Sequence, residues 1–238
     1  QWKNMDYNSD LCTAQSIIDW MNKDPGNPFF AIMFTAMTHY PYITDSPMFS
    51  KMAPSSHDKG LVHYSDDEKF NSYLNALKVG DTALGEILET LKQSGKLDST
   101  LVVILGDHGE AFGEHGDYVH ASAIYEENIH IPLIMINKHL FHDQVVHSVG
   151  GIVDIAPTIL DILGLPLPKQ WQGRSLFSEQ RPNKTFFFNP WSGFLFGYRE
   201  NDRKVIFNAT TGKVELYDLK ADPDERTNLF NDASDRNA

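Results

Sequence analysis

Apolar residues fall into two kinds of run along this chain. Phe70, Tyr73, Leu74, Leu77, Leu84, Ile87, Leu88 and Leu91 recur every three or four residues, the spacing of one helix face. That pattern predicts a helix over residues 65–94, with Ser65 and Glu68 as a capping box and Gly95 as its stop. A shorter helix is expected over 9–22, where Leu11, Ile17, Ile18 and Trp20 share a broad face and the loop DPGN follows. The second kind of run is continuous. Phe29–Met37, the TLVVIL before Gly106 and IPLIMIN at 131–137 read as strands buried on both faces of a parallel sheet.

DIAPTILDILGLP (154–166) predicts a short helix with Asp154 as N-cap and Pro157 in the first turn, where a missing N–H costs little. Strand, helix, strand, strand, helix is the alternation of a doubly wound α/β sheet. The expected fold is therefore α/β, with a mostly parallel central sheet flanked by helices. TFFFNP reads as a further strand and GYRENDRKVIFNATTGKVELYDL as two more joined by NATTG, a small antiparallel C-terminal sheet. Two domains are expected on this basis, over 1–180 and 181–238. Residues 43–63 have no clear period and read as a long surface loop of the kind that borders a site.

Charge narrows the partners. The net charge is −12, from 32 acidic and 20 basic residues, and no Lys/Arg cluster stands out. The footprint of nucleic-acid binding is missing. An anionic substrate must then be held by a local site, and a bound divalent cation would provide one. The single cysteine, Cys12, rules out an internal disulfide framework and reads as a small buried hydrophobe. No run approaches the ~18 apolar residues of a membrane span. The chain starts at Gln1 without an initiator Met or a signal-peptide pattern, and it reads as part of a longer protein.

The densest chemistry is GDHGEAFGEHGDYVH. Between Asp107 and His120, seven of fourteen residues can hold a metal or a proton, directly after a predicted strand. In open α/β sheets ligands bind outside the carboxyl ends of the strands. His39 ends another predicted strand, so His39, Asp107 and His108 are expected on one rim, with His115 and His120 nearby. Asp107 and His108 can offer a carboxylate oxygen and an imidazole nitrogen to one cation, with Gly106 and Gly109 expected to let the backbone turn sharply enough to aim both. That donor set suits Zn²⁺ or Mn²⁺, and Ca²⁺ if further oxygens join. Glu110, Glu114 and Asp117 read as supporting or solvated groups, and His130, His139, His142 and His147 as surface or internally satisfied histidines.

GDHGEAFGEHG, the downstream YEENIHIPLI, the DIAPTILDILG helix and the closing ELYDLKADPDERTNL resemble the C-terminal half of the sulfatase branch of the alkaline phosphatase superfamily. PFFAIMFTAMTHYPY is similar to that family's PFF…H-x-P-Y segment. The pieces occur in the family's order from about residue 9 to residue 230. The resemblance implies an alkaline-phosphatase-like sandwich and a metal-dependent enzyme that cleaves or transfers a sulfuryl or phosphoryl group. It implies that Asp107 and His108 are metal ligands, that His39 contacts the substrate's anionic group, and that His120 and His115 join it there. His39 and His120 are the catalytic candidates. Such relatives act on small anionic esters outside the cytoplasm.

The sequence departs from the family in two places. Many arylsulfatases have Asn at the position of His108 and Lys near His120; the residues here look more like phosphonate hydrolases, phosphoethanolamine transferases and lipoteichoic-acid synthases. A transferase moving phosphoethanolamine or phosphoglycerol is thus the runner-up. The family's nucleophile lies in an N-terminal half, within C/S-x-P-x-R in sulfatases. Cys12 sits in CTAQS without that Pro or Arg, so no nucleophile is expected in this chain and the missing half is its expected partner. A third reading is a non-catalytic binding fragment.

Overall fold

The computed structural model describes residues 9–24, 26–42 and 68–230, which fall into two compact units, 1–101 and 102–238. The expected boundary at 180 lies inside the second unit, close to where its larger sheet begins.

In the first unit α1 (Ser9–Lys23) packs against α2 (Glu68–Gln93). The buried face of α1 is Asp10, Ala14, Ile18 and Met21, at helical spacing; of the expected face of Leu11, Ile17, Ile18 and Trp20, Ile18 is buried and Trp20 is half exposed. Cys12 is exposed, not buried. It stands two residues from both Asp10 and Ala14, about 200° round the helix from each, so it points away from α2. The end of α2 follows expectation. Gly95 has φ +71°, and the N–H of Lys96 reaches back to the carbonyl of Leu91 at 2.8 Å, which satisfies a carbonyl the helix leaves open. Ser65, the expected cap, and the loop 43–63 lie outside the described residues.

Residues 29–37 are the clearest departure. They form no strand among the described residues, and Phe30, Ile32 and Phe34 are exposed. A strand exists by its ladder, and among the described residues no strand pairing includes this segment. The segment is anchored at its end instead. The buried carboxylate of Asp10 accepts the N–H groups of Ala36 and Met37 at 2.8 and 3.2 Å.

In the second unit β1 (Val102–Leu105) pairs with β2 (Leu133–Ile136), and the pairing is antiparallel, Val102 opposite Ile136 and Leu105 opposite Leu133. The parallel central sheet is thus not what the described residues form. Two strands leave two open edges and cannot bury both faces, so Leu105 and Ile134 remain partly exposed. α3 (Glu126–Ile129) precedes β2, and α4 (Ile155–Ile162) follows a 3₁₀ turn at Ile152–Asp154. Asp154 holds the expected N-cap position of α4. Asp154 makes no cap bond to α4; its carboxylate accepts the N–H of Gly151 at 3.1 Å and that of Arg174 at 2.8 Å, and pairs with Arg181 at 2.8 Å.

The C-terminal sheet runs β3 (Lys184–Asn189), β4 (Leu195–Glu200), β5 (Arg203–Asn208), β6 (Lys213–Asp218), all antiparallel and in sequence order. Two strands expected after TFFFNP are three, because GYRE turns back at Asn201, which has φ +52°. One face of the sheet packs Leu195, Ile206, Tyr217 and Leu219 against Ile124, with Tyr125, Ile129 and Phe187 beside them. Among the described residues no helix is long and apolar enough to cross a membrane.

Tyr125 and Tyr217 carry a consequence for alkaline stability. Burial, and then the Glu215 carboxylate that accepts the Tyr125 hydroxyl at 3.0 Å, raise both phenols above their ordinary value. Above pH ~10 the unfolded chain releases these protons while the folded one keeps them, so stability falls as pH rises past that point. In an ultraviolet titration, these two of the nine tyrosines are expected to ionise only together with unfolding. Ionisation of all nine in a still-folded protein would contradict the placement.

Candidate functional site

β1 ends at Leu105, and the chain then leaves the sheet through Gly106, whose N–H is held by the Pro132 carbonyl at 3.3 Å. The polar segment 107–120 follows. Neither Gly106 nor Gly109 adopts a positive φ. What Gly109 provides is close approach: a Cβ there would stand 2.1 Å from the carbonyl oxygen of Glu127, where α3 passes, and the Gly109 N–H bonds the Asn128 carbonyl at 2.8 Å. The segment is stitched to α3 at that point.

Asp107 and His108 project next to one another. The Asp107 carboxylate is largely exposed; one oxygen accepts the backbone N–H of His108 at 3.0 Å and the other lies 3.6 Å from His108 Nε2. His108 Nδ1 donates to the carbonyl of Gly109 at 2.8 Å. A proton used there leaves Nε2 with its lone pair, beside an anionic oxygen, which is how metal-binding histidines are commonly oriented. These two atoms fit the oxygen-plus-nitrogen pair that a divalent cation would need, although they are two donors only; among the described residues no group of three or more His, Cys, Asp or Glu is gathered closely enough to hold an ion by itself.

His120, thirteen residues beyond Asp107, comes back to the pair. Its ring stacks on that of His108 with centroids 4.2 Å apart, and its Nδ1 lies 3.2 Å from the mostly buried carboxylate of Glu110. His115 is placed differently. Its Nδ1 meets Glu127 at 2.7 Å, its Nε2 meets the carbonyl of Glu225 at 3.1 Å, and its ring stacks on Tyr125. His39 belongs to the first unit, exposed, with Nδ1 on the Tyr40 carbonyl at 2.8 Å. Glu114 accepts the Phe112 N–H at 2.6 Å, the carbonyl of Asp117 accepts from Gly113, and His130 is mostly exposed near Glu126.

The sequence reading missed the groups behind this segment. Glu225 and Lys204 are fully buried and paired at 2.9 Å; Lys204 also reaches Glu126 at 3.0 Å, and Glu225 accepts the Glu126 N–H at 2.6 Å. Burial pushes the Glu225 carboxyl above its ordinary value, against the pull of Lys204. The signal that could have found Glu225 was the closing ADPDERTNL, read for its family resemblance and not as a source of buried charge.

The sulfatase profile matches residues 1–165, more than half of the chain, and the profile described as N-sulphoglucosamine sulphohydrolase, C-terminal, matches 113–237. The chain belongs to the sulfatase family. Among its sulfatase relatives, arylsulfatase K of Bos taurus is 37% identical over 167 residues, 63% of this chain and 31% of that protein. The N-acetylglucosamine-6-O-sulfatase of Bacteroides thetaiotaomicron is 31% identical over 192 residues, 74% of this chain and 34% of that protein. The chain thus spans about a third of the length of the curated relatives it matches. A solved sulfatase from the glycosaminoglycan metabolism of Bacteroides thetaiotaomicron superposes with a TM-score of 0.77 over 93% of this chain and 55% of its own, at 21% identity, a likeness of fold.

Proposed function

We propose that the intact protein is a metal-dependent hydrolase of sulfate esters and that this chain supplies its cation-holding pair and part of its substrate contacts. The observation that carries the reading is the Asp107–His108 pair, a carboxylate oxygen 3.6 Å from an imidazole nitrogen whose ring is fixed by the Gly109 carbonyl, with the His120 ring against it. Asp107 and His108 would hold a divalent cation, for which Zn²⁺, Mn²⁺ and Ca²⁺ are the candidates. Bound there, it would offset the negative charge of a sulfate group and of the transition state.

The chain's own residues do the rest of the work assigned to it. His120, turned by Glu110, offers a ring N–H to a non-bridging or leaving oxygen, and the family resemblance assigns to His39 a contact with a substrate's anionic group. Hydrolysis consumes one water and releases sulfate and an alcohol. The attacking group belongs to the part of the protein that this chain does not include, since Cys12 lies on α1 outside any C/S-x-P-x-R context. The names of the two relatives, an arylsulfatase and an amino-sugar 6-O-sulfatase, support an aryl or sugar sulfate as substrate. An extracytoplasmic location goes with that substrate class.

The test is made on the intact natural protein. Its N-terminal half is sequenced, and release of sulfate from an aryl sulfate and from a 6-sulfated glucosamine is compared with release of phosphate from the matching phosphate esters. A C/S-x-P-x-R segment and sulfate release are expected. Phosphoryl transfer from a lipid with no sulfate release would establish the transferase instead, and cation binding with no turnover on either series would leave a binding domain.

A further inference from the structure

Two residues in the middle of the 107–120 segment are gripped by a turn more than a hundred positions away. The guanidinium of Arg226 donates to the carbonyl of Glu114. His115 Nε2 lies 3.1 Å from the carbonyl of Glu225, while its Nδ1 lies 2.7 Å from the Glu127 carboxylate. Both ring nitrogens are thus taken up by oxygens of the chain itself. The ring lies flat on Tyr125, centroids 3.8 Å apart and planes 12° from parallel, and 13% of the side chain is exposed. A histidine so occupied has no nitrogen left to offer a sulfate group.

The turn that grips it is itself immobilised. Glu225 has φ +52°, its N–H is held by the Asp222 carbonyl at 3.2 Å, and the Asp222 carboxylate accepts the Thr227 N–H at 2.7 Å. The Glu225 carboxylate is fixed to β5 by Lys204 and to α3 by the Glu126 N–H. Glu127, the other partner of His115, belongs to α3, which also holds Gly109. The segment carrying Asp107, His108 and His120 is therefore pinned at 109 by α3 and at 114–115 by the C-terminal turn.

We propose that His115 is a positioning residue and that residues 222–226 form a clasp which, through His115 and Glu114, sets the placement of His108 and His120. The proposal rests on the sulfatase reading for its kinetic consequence, and it takes His115 out of the substrate-contacting set. The clasp contributes no reacting group; it fixes a segment in which a displacement of about 1 Å can cost up to a hundredfold in rate.

The test compares the intact wild-type protein with His115→Gln, and with His115→Phe, which keeps the stack on Tyr125 but removes both ring nitrogens. Arg226→Met, which releases only Glu114 and leaves the core untouched, serves if a His115 variant fails to fold. Amide hydrogen exchange by mass spectrometry and steady-state kinetics on a sulfate ester are read together. Exchange is expected to quicken over 106–120 and not over β4–β6, and kcat to fall about tenfold or more with KM within about twofold. A raised KM with unchanged exchange would make His115 a substrate contact and overturn the proposal, as would unchanged exchange with unchanged kinetics. If the wild type releases no sulfate, the sulfatase reading fails by itself, and the exchange pattern still decides whether the clasp exists.

Discussion

Replacing Asp107 by Ala in the intact protein is expected to lower turnover of a sulfate ester by about a thousandfold or more, with the unfolding temperature unchanged. The side chain is 83% exposed, and its one hydrogen bond among the described residues is to the N–H of the next residue. Surface substitutions of that kind shift stability by no more than about 0.5 kcal/mol. What is lost is an anionic oxygen beside His108 Nε2, and with it the charge that would draw a cation to the pair. Asp107→Asn separates charge from shape, because it keeps the acceptor for the His108 N–H and removes the negative charge. Calorimetric titration with a divalent metal is expected to show weakened binding in both variants, which ties the loss of turnover to the cation. Turnover near wild type in Asp107→Ala would end the assignment of this pair.

The resemblance to sulfatases was legible because its evidence is local. GDHG after an apolar run, His120 thirteen residues past Asp107 and an apolar strand beyond all lie within about thirty positions, and backbone geometry alone keeps such neighbours close. The groups behind the segment were not legible for the opposite reason. His115 and Glu225 are 110 positions apart, and nothing in local spacing connects them. Lys204 shows a second obstacle. In RKVIF it alternates with Ile206 and so shares that residue's inward face, yet a lysine in a strand is read as solvent-facing, since lysine is almost never buried unless paired. Its partners, Glu126 and Glu225, come from elements that look like a surface turn and a tail. The run at 29–37 misled in a third way. Continuous apolarity reports burial in a finished sheet, and a ladder depends on neighbours that a run cannot itself name.

Lys204 also supports the largest expected loss of stability. Its ammonium, with no exposed surface, serves Glu225 at 2.9 Å and Glu126 at 3.0 Å, and stands 5.9 Å from the Phe187 ring centroid. Removing one partner of a buried pair strands the other charge, so Lys204→Met is expected to cost about 3–5 kcal/mol, read from the midpoint of urea unfolding. Glu126 is partly relieved by Arg199 at 3.3 Å, whereas Glu225 has no other cation among the interactions described for it. The double variant Lys204→Met with Glu225→Leu is therefore expected to recover much of that loss, since it leaves no charge stranded at the Glu225 site. The pH dependence has a defined sign. Burial raises the folded-state value of Glu225 above the ordinary carboxyl value even with Lys204 present. Between those two values the folded chain holds a proton that the unfolded chain has released, so this group's contribution to stability falls as pH rises through the window. Without Lys204 the window widens upward, and Lys204→Met should regain stability on acidification more steeply than the wild type. A variant as stable as wild type at neutral pH, with an unchanged acid profile, would mean that the buried charges are not coupled as their distances indicate.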